Sequence, residues 1–268
     1  MRDLAGGSAV VTGGGSGIGR GLVLGLARRG MRVVVADIDL GAAEAVAAEV
    51  AELGAESMAL RCDVSDFTAV QALERAAVDR FGPVNVLCNN AGVLIMAEVK
   101  DLQPGDWEWL FAVNVMGVVH GVHAFVPGML RAGGPAHILN TGSVAGLGGG
   151  GAYGATKAAV IAISETLRTE LGPQGIGVSV LLPGNVSSRI TSSQRNRDPR
   201  FGPKVPEPFA DVVDFGIDPV AAAENGIRAV LEDELYAFVF PEDWDERLRS
   251  AAEARHRALL SALDRGGM

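Results

Sequence analysis

The sequence predicts an α/β fold in which a doubly wound parallel sheet of about seven strands carries helices on both faces. Apolar runs of about four to six residues alternate with helical stretches of about 12 to 20 residues. Most of these runs stop abruptly at glycine, asparagine or aspartate, as buried strands do where they leave a sheet. No linker divides the chain. Residues 1–268 are therefore expected to form one domain that binds ligands at the carboxyl ends of its strands.

The elements follow from this alternation in chain order. Strands are expected where short apolar runs end at turn residues, at Ala9–Thr12, Arg32–Ala36, Ser57–Arg61, Val84–Cys88, Ala136–Asn140, Gly177–Leu182 and Tyr236–Phe240. Helices are expected at Gly21–Arg29, Gly41–Leu53, Asp66–Phe81, Pro104–Leu130, Ala152–Leu171, Pro219–Leu231 and residues 242–264. Right-handed crossovers between successive parallel strands give the doubly wound topology.

One segment, residues 187–218, departs from this rhythm. The polar run Ser192–Arg200 has no periodicity, and Pro203, Pro206 and Pro208 follow it. An irregular insertion of this length inside a compact domain is usually a functional lid or a mobile loop. We therefore expect a lid over the substrate.

Composition excludes several function classes. Acidic residues outnumber basic ones, 32 to 23, and the net charge of -9 argues against a nucleic-acid partner. Two cysteines are too few for a disulfide framework or a four-cysteine zinc site, and no metal site is expected. The N-terminus lacks a signal-peptide core, and no uninterrupted run reaches the roughly 18 apolar residues of a membrane helix. A cytoplasmic protein without a membrane partner is expected.

A glycine-rich loop joins the first strand to the first helix, the context that a dinucleotide-binding loop requires. Its residues, Thr12-Gly-Gly-Gly-Ser-Gly-Ile-Gly19, let the backbone approach a pyrophosphate at the positive end of a helix. Asp37 closes the next strand, 18 residues after Gly19, where a carboxylate can accept both ribose hydroxyls. Ordinary turn and loop-capping roles are the alternatives for these residues.

The same aspartate bears on the choice between NAD and NADP. A carboxylate at this position repels a 2′-phosphate. The two positions where an arginine or lysine would bind that phosphate are occupied by Ser16 and Ile38. The nearest cations along the chain, Arg20 and Arg32, do not stand at the strand end. NAD is expected, and NADP is less favoured.

Tyr153 and Lys157 lie four residues apart at the start of a predicted helix, so both project from one face. A cationic lysine beside a phenol is expected to lower the tyrosine pKa toward the range useful for proton transfer. Ser143 follows a strand end and could hydrogen-bond the same substrate oxygen. A tyrosine and a lysine on an ordinary surface helix are the alternative.

Six ordered motifs together resemble the short-chain dehydrogenase/reductase family, in its compact single-domain NAD(P)-dependent branch with a Rossmann-type fold. The resemblance runs from about Ala5 to Gly184. The motifs are the glycine loop, Cys62-Asp-Val64, Asn89-Asn-Ala-Gly92, Asn114, Ser143 with Tyr153-Gly-Ala-Thr-Lys157, and Pro183-Gly-Asn-Val-Ser-Ser188.

The resemblance implies a role for each matched residue. Tyr153 would be the general acid/base, Ser143 would position the substrate oxygen, Lys157 would bind nicotinamide-ribose hydroxyls, and Asn114 would hold a water in a proton relay. The resemblance also implies that Asp63 and Val64 contact adenine, Asn90 the neighbouring ribose, and Val186 and Ser188 the carboxamide. The further cofactor-binding residues are Gly13, Ser16, Gly17, Ile18 and Gly19 of the glycine loop, Asp37 at the adenosine ribose, and Ala91, Gly92, Pro183 and Gly184.

Three features depart from the family pattern. The nine residues between Ser143 and Tyr153 form a shorter, glycine-rich loop, so the pocket beside it could be wider or more mobile. Ser188 stands where many relatives have threonine. The usual Val-Asp-Gly-Gly ending is absent, which puts tetramer assembly in doubt, whereas a homodimer through the helices of Asn114 and Tyr153 is less affected. Trp107 and Trp109 are expected to pack on that dimer helix, with substrate contact as the alternative.

The expected activity is an NAD-dependent hydride transfer between nicotinamide and a secondary alcohol or ketone. The apolar run Val93–Met96, the loop between Ser143 and Tyr153 and the lid are expected to form a mainly apolar pocket for a cyclic substrate. An NADPH-dependent ketoacyl-type reductase is an alternative, supported by the lid cations Arg189, Arg195, Arg197, Arg200 and Lys204. A non-catalytic NAD-binding protein is the other, although the Tyr–Lys pair is intact.

Overall fold

The computed structural model describes residues 3–207, 216–240 and five further residues between 246 and 257. Its strands form one parallel sheet in the order β3-β2-β1-β4-β5-β6-β7, which confirms the predicted fold class. The strands are β1 (Ser8–Thr12), β2 (Arg32–Asp37), β3 (Ser57–Arg61), β4 (Val86–Asn89), β5 (Ala136–Thr141), β6 (Ile176–Pro183) and β7 (Tyr236–Val239).

Helices cover both faces of the sheet. The helices are α1 (Gly17–Arg28), α2 (Leu40–Glu52), α3 (Phe67–Phe81), α4 (Pro104–Phe111), α5 (Gly117–Ala132), α6 (Gly151–Leu171) and α7 (Pro219–Glu232). Buried side chains of α1, α2 and α7 form one apolar core with the sheet, and those of α3, α5 and α6 form another on the opposite face. The central strands between these two cores are buried on both sides, as parallel strands are, whereas the edge strands β3 and β7 are partly exposed.

The strand order reverses between β1 and β4, which creates a crevice at the carboxyl edge of the sheet. Thr12 at the end of β1 pairs with Ala36 of β2, and Val11 pairs with Cys88 of β4, so these strands end at nearly the same level. Ligands of doubly wound folds bind at such a switch point. The glycine loop and the Asn90–Gly92 segment leave the sheet on either side of this crevice.

Helix α1 begins at Gly17, four residues before the predicted start at Gly21. Glycine is unfavourable inside a helix, which is why the propensity of the sequence indicates a later start. Here packing requires glycine inside the first turn of the helix, because a Cβ atom on Gly19 would lie 2.0 Å from the carbonyl oxygen of Gly13. The glycine loop therefore continues directly into the first turn of α1.

The predicted long helix is continuous over Pro104–Ala132, but it contains a π-helical turn at Ala112–Met116. By length and composition alone this helix could cross a membrane. The sequence itself does not predict such a helix, because its apolar residues do not form one uninterrupted run. Its 18-residue apolar window is 44% buried inside the protein, and the turn carries the buried Asn114. A core helix passes the same test, so the finding is weak evidence for a membrane span.

The segment expected to be an irregular lid contains two short 3₁₀ helices, Arg189–Asn196 and Pro199–Phe201. Its two ends are held together, because the Ser187 amide donates to the Ile217 carbonyl at 3.0 Å and the Ile217 amide donates to the Asn185 carbonyl at 2.9 Å. Residues 208–215 of this segment, and most of the predicted helix at 242–264, lie outside the described residues. We use the name lid for residues 187–207 below.

Candidate active site

A cavity of about 930 Å³ lies at the carboxyl edge of the sheet and extends under the lid. Its lining residues come from the carboxyl ends of six strands, β1 to β6, from the segments that follow them and from the lid. Every predicted site residue except Asn114 lines it, namely Gly13, Ser16, Gly17, Ile18, Gly19, Asp37, Asp63, Val64, Asn90, Ala91, Gly92, Ser143, Tyr153, Lys157, Pro183, Gly184, Val186 and Ser188.

The glycine loop lines one end of this cavity with three glycines, Gly13, Gly17 and Gly19, together with Ser16 and Ile18. Gly13 and Gly17 have φ angles of +64° and +53°, a region that favours glycine. A Cβ atom on Gly13 would lie 2.9 Å from the Cα atom of Ala91, so the loop presses on the segment after β4. Backbone amides at the start of α1 face the cavity, an arrangement that fits an anionic pyrophosphate.

Asp37 is held rigidly at the end of β2. Its Oδ2 accepts a hydrogen bond from the Gly15 amide at 2.9 Å, and its Oδ1 accepts one from the Asp39 amide at 3.0 Å. These bonds fix the carboxylate between the glycine loop and α2. The rest of its acceptor capacity faces the cavity, as recognition of a ribose diol requires.

The structure brings the lid cation Arg195 within electrostatic range of Asp37, a proximity that the spacing of these residues in the sequence does not reveal. Arg195 of the lid lines the same cavity, and the charge of Asp37 acts on its guanidinium. Burial and the neighbouring Arg189 lower the pKa of Arg195, whereas Asp37, Glu207 and Asp39 oppose that shift. Arg20, the nearest cation along the chain, instead bonds Glu49 at 2.8 Å.

Thr12 ties the glycine loop to the segment that follows β4. Its Oγ1 accepts hydrogen bonds from the amides of Asn90 at 3.0 Å and Ala91 at 3.2 Å. In return, the Asn90 side chain donates to the Thr12 carbonyl at 3.0 Å. This threonine does not line the cavity, and it holds two predicted cofactor-binding segments in register.

Tyr153 and Lys157 occupy the first two turns of α6, and Ser143 begins the loop before it. The Lys157 Nζ atom donates to the Thr141 carbonyl at 2.8 Å and lies 5.6 Å from the centroid of the Tyr153 ring. The Ser143 hydroxyl donates to the Pro183 carbonyl at 3.2 Å and accepts from the Ala145 amide at 3.1 Å. The predicted triad of side chains therefore forms one wall of the cavity.

The expected lowering of the Tyr153 pKa is wrong for this structure. The Tyr153 side chain is half-buried in total, but its hydroxyl lies deep enough that burial raises the tyrosine pKa to about 12, against a lowering effect of the hydrogen bond with Ser143. Burial also lowers the pKa of Lys157 to about 8. Both shifts have the same cause, because burial penalises the charged form of each group.

Asn114 lies behind the cavity wall and not on it. Its Oδ1 accepts from the Val93 amide at 2.8 Å, and its Nδ2 donates to the Val93 carbonyl and the Thr156 hydroxyl, each at 3.0 Å. A Cβ atom on Gly92 would lie 3.3 Å from Asn114 Oδ1 and 3.4 Å from Lys157 Nζ. The side chain of Asn114 therefore fixes the Gly92–Val93 segment beside Lys157. π-Helical turns such as the one that carries it occur frequently at functional sites.

The other end of the cavity is largely apolar. Its walls include Leu94, Met96, Trp109, Val113, Val144, Ile190 and Phe201, together with the glycines at 148–150. Ile95 does not belong to these walls, because it packs in a buried cluster with Trp109 and Ala152. Of the run predicted to form the pocket, Val93, Leu94 and Met96 reach it.

Trp109 corrects the expectation that the tryptophans pack on a dimer helix. Its side chain is 2% exposed, lines the cavity and packs with Val93 and Leu110. Phe201 was not singled out in the sequence, because the lid around it has no periodicity that could place it. Thr141 was also missed, although a polar residue directly after the apolar run of β5 was a usable signal.

Comparisons with known proteins agree with this geometry. A family model described as short chain dehydrogenase matches residues 8–199. A C alpha-dehydrogenase of Sphingobium sp. strain SYK-6 is 31% identical over 98% of this chain and 88% of its own length. A 1-deoxy-11-beta-hydroxypentalenate dehydrogenase of Streptomyces exfoliatus is 39% identical over 68% of each chain.

Solved structures extend the likeness to the whole fold. A short chain dehydrogenase/reductase from Burkholderia phymatum, solved in complex with NAD, superposes with a TM-score of 0.90 and is 34% identical. The match covers 98% of this chain and 97% of that one. Because the family match spans most of the chain and the fold agrees from end to end, this protein is an oxidoreductase of the short-chain dehydrogenase/reductase family.

Proposed function

We propose that this protein transfers a hydride between NAD and a secondary alcohol or ketone of apolar or cyclic character. One observation carries the proposal: a single cavity joins a dinucleotide-shaped end to an apolar end. Gly13, Gly17 and Asp37 line the first end, Trp109 and Phe201 line the second, and Tyr153, Ser143 and Lys157 line the same cavity.

The proton chemistry in this proposal belongs to Tyr153. During oxidation the Tyr153 phenolate accepts the proton of the substrate alcohol and becomes the phenol, and during reduction the phenol donates that proton to the substrate oxygen. The Ser143 hydroxyl, already oriented by the Ala145 amide, hydrogen-bonds the same oxygen. Lys157, held by the Thr141 carbonyl, supplies positive charge on the nicotinamide side. A bound nicotinamide supplies the hydride acceptor or donor.

Residues 13–19, 37, 63–64, 90–92 and 183–188 would hold the dinucleotide. The fit is supported by the close approach of Gly19 to Gly13, which leaves bare backbone where a pyrophosphate would lie. Asp37 favours NAD because its carboxylate repels a 2′-phosphate. The lid cation Arg195, on which the charge of Asp37 acts, is the observation that favours NADP.

Apolar walls and the names of the relatives support the substrate class. The cavity end around Leu94, Met96 and Trp109 offers little hydrogen bonding, so binding there depends on buried apolar area. The pentalenate relative is named for a dehydrogenase that acts on a hydroxylated compound. A hydroxyl-bearing apolar or cyclic compound is the corresponding substrate for this chain.

Two measurements test the proposal. Fluorescence titration of the purified protein should show tight binding of NADH and much weaker binding of NADPH. Asp37→Ala should reduce that difference, and Arg195→Ala should weaken whatever NADPH binding remains. Preference for NADPH would overturn the NAD assignment and favour the ketoacyl-type reductase.

The catalytic assignment needs a separate variant. Tyr153→Phe should abolish turnover of secondary alcohols and leave NADH affinity within about twofold, since one hydroxyl is removed from the reacting side. Trp107→Phe is the matched aromatic control, because Trp107 packs beside the cluster of Trp109 and Ala152 and does not line the cavity. Retained turnover in Tyr153→Phe would disprove the assignment, and binding of neither nucleotide would indicate a non-catalytic protein.

A further inference from the structure

The lid spans the cavity from the glycine loop to the end of β3. At its base, Ser188 packs against the loop so closely that a Cβ atom on Gly17 would lie 3.1 Å from the Ser188 Cβ. At its far end, the Arg200 Nη2 atom donates to the Ser65 hydroxyl at 2.7 Å, across 135 residues of sequence. The lid therefore crosses the expected dinucleotide site as well as the substrate pocket.

The contact around Arg200 is built from several groups. The Arg200 guanidinium lies over the Phe201 ring at 4.6 Å, and its backbone amide donates to Asp198 Oδ1 at 2.8 Å. On the facing side, Asp63 Oδ1 accepts hydrogen bonds from the Ser65 amide at 2.9 Å and the Ser65 hydroxyl at 2.6 Å. Asp63 Oδ2 lies 3.9 Å from Arg200. Positive charge on the lid thus meets an ordered acidic loop.

Both sides of this contact border the cavity. Asp63 and Ser65 line it from the sheet, and Asp198 and Phe201 line it from the lid. The Arg200 side chain is half exposed, so solvent and salt weaken the contact. A contact of this strength can open and close during binding, and while closed it holds the lid against the Asp63–Ser65 loop, where the adenosine is expected.

We propose that Arg200 is a positioning residue for the adenosine half of the nucleotide, acting through Ser65 and Asp63 to keep the lid closed over it. This inference rests on the proposed function, because it requires a dinucleotide in the cavity. It extends the role of the lid from substrate binding to cofactor retention. The lid must open at Arg200 before the nucleotide leaves.

Stopped-flow release of NADH measures this role directly. Arg200→Ala and Ser65→Ala should each raise the dissociation rate about three- to tenfold, the range for a partly exposed charge-assisted hydrogen bond. The double variant should release NADH no faster than the faster single variant, since both changes break one contact. Lys204→Ala is the matched control, because the hydrogen bond that this exposed lid cation makes to a described residue is a long one, 3.5 Å to the Arg195 carbonyl.

Binding of nucleotide fragments distinguishes a role of Arg200 at the adenosine half from a general loosening of the lid. ADP-ribose contains the adenosine half, and its affinity should fall in Arg200→Ala. Reduced nicotinamide mononucleotide lacks that half, and its affinity should not change. Thermal unfolding of each variant checks the fold, and Ser65→Ala tests the contact from its other side if Arg200→Ala is unstable.

The outcomes distinguish this inference from the proposed function. Unchanged NADH release in both single variants, or equal weakening of both fragments, would overturn the role of Arg200 and leave the proposed function intact. If the wild-type protein prefers NADPH, the same release measurement with NADPH decides the role of Arg200. Binding of neither nucleotide by the wild-type protein would overturn both.

Discussion

Arg197 of the lid and Asp106 of α4 form an ion pair inside the protein. The Nη1 atom of Arg197 lies 2.5 Å from Asp106 Oδ1, and each side chain is 2% exposed. The Arg197 guanidinium also lies 5.4 Å from the centroid of the Trp109 ring, and Asp106 Oδ2 accepts from the Gln103 amide at 2.8 Å. This pair fixes the lid to the helix that carries the aromatic wall of the cavity.

Breaking the pair from the lid side should destabilise the protein strongly. Arg197→Met leaves the Asp106 carboxylate buried without its cation, and such changes cost about 3–5 kcal/mol. Urea unfolding followed by circular dichroism should show this decrease in the free energy of unfolding. Adding Asp106→Asn should recover part of the lost free energy of unfolding. A neutral amide costs less to bury than a carboxylate, and its oxygen can still accept the hydrogen bond from the Gln103 amide.

The control for this experiment is another arginine of the lid. Arg200→Met removes a half-exposed ion pair, so its free energy of unfolding should change by less than about 1 kcal/mol. Equal losses in Arg197→Met and Arg200→Met would show that burial of the Arg197–Asp106 pair does not govern the stability of the lid.

Gly19→Ala should disrupt nucleotide binding through sterics alone. The added Cβ would lie 2.0 Å from the Gly13 carbonyl oxygen, so the glycine loop must move. We expect at least a tenfold loss of NADH affinity and a decrease of about 1–3 kcal/mol in the free energy of unfolding. Gly134→Ala is the matched control, because no atom lies within 4 Å of a Cβ there. Unchanged NADH affinity in Gly19→Ala would contradict the assignment of this loop.

The sheet and the cofactor end of the site were predictable because their residues lie next to regular elements. Asp37 follows an apolar run, and the glycine loop lies between a strand and a helix, so local pattern and parallel topology bring them together. Strand ends were predicted within about two residues, as for β4, which begins at Val86 and not at Val84. Periodicity and turn residues carry this information locally.

The substrate end was less predictable, because tertiary contacts of the lid decide it. The polar lid sequence has no period, so the insertion of Arg197 beside Asp106 and the facing of Phe201 into the cavity leave no local signal. The predicted lowering of the Tyr153 pKa was wrong for a related reason. Spacing reveals that Lys157 is near, but it does not reveal the burial that raises the tyrosine pKa.

The protein without cofactor should show almost no phenolate at about pH 10, where an unperturbed tyrosine is half ionised. Burial raises the pKa of Tyr153 to about 12, and burial together with the Glu165 carboxylate raises that of Tyr236 to about 12. Lys157, with a pKa of about 8, is largely uncharged at this pH and cannot stabilise a phenolate. Phenolate absorbance in Tyr236→Phe isolates Tyr153, and the urea-unfolded protein supplies the unperturbed reference. Substantial phenolate in folded Tyr236→Phe would show that Lys157 outweighs burial.

His137 should make the protein less stable in acid. Its side chain is fully buried in β5, with Nε2 2.8 Å from the Ser179 hydroxyl and Nδ1 3.8 Å from Asp233 Oδ1. Burial lowers the histidine pKa from 6.5 to about 3, with Asp233 opposing this shift and Arg168 acting in the same direction as burial. Between these two pH values the unfolded chain holds a proton that the folded protein does not. The free energy of unfolding should therefore fall as pH falls below about 6.5, approaching about 1.4 kcal/mol per pH unit from this residue.

Urea unfolding between about pH 4 and pH 7 measures this slope. His137→Gln removes the titrating group, so its free energy of unfolding should depend less steeply on pH than that of the wild-type protein, whatever the variant loses at neutral pH. The exposed His123 provides the control, and His123→Gln should keep the wild-type slope. If His137→Gln and the wild-type protein lose stability in parallel as the pH falls, the acid sensitivity comes from other groups, and His137 accepts a proton in the folded state as readily as in the unfolded chain.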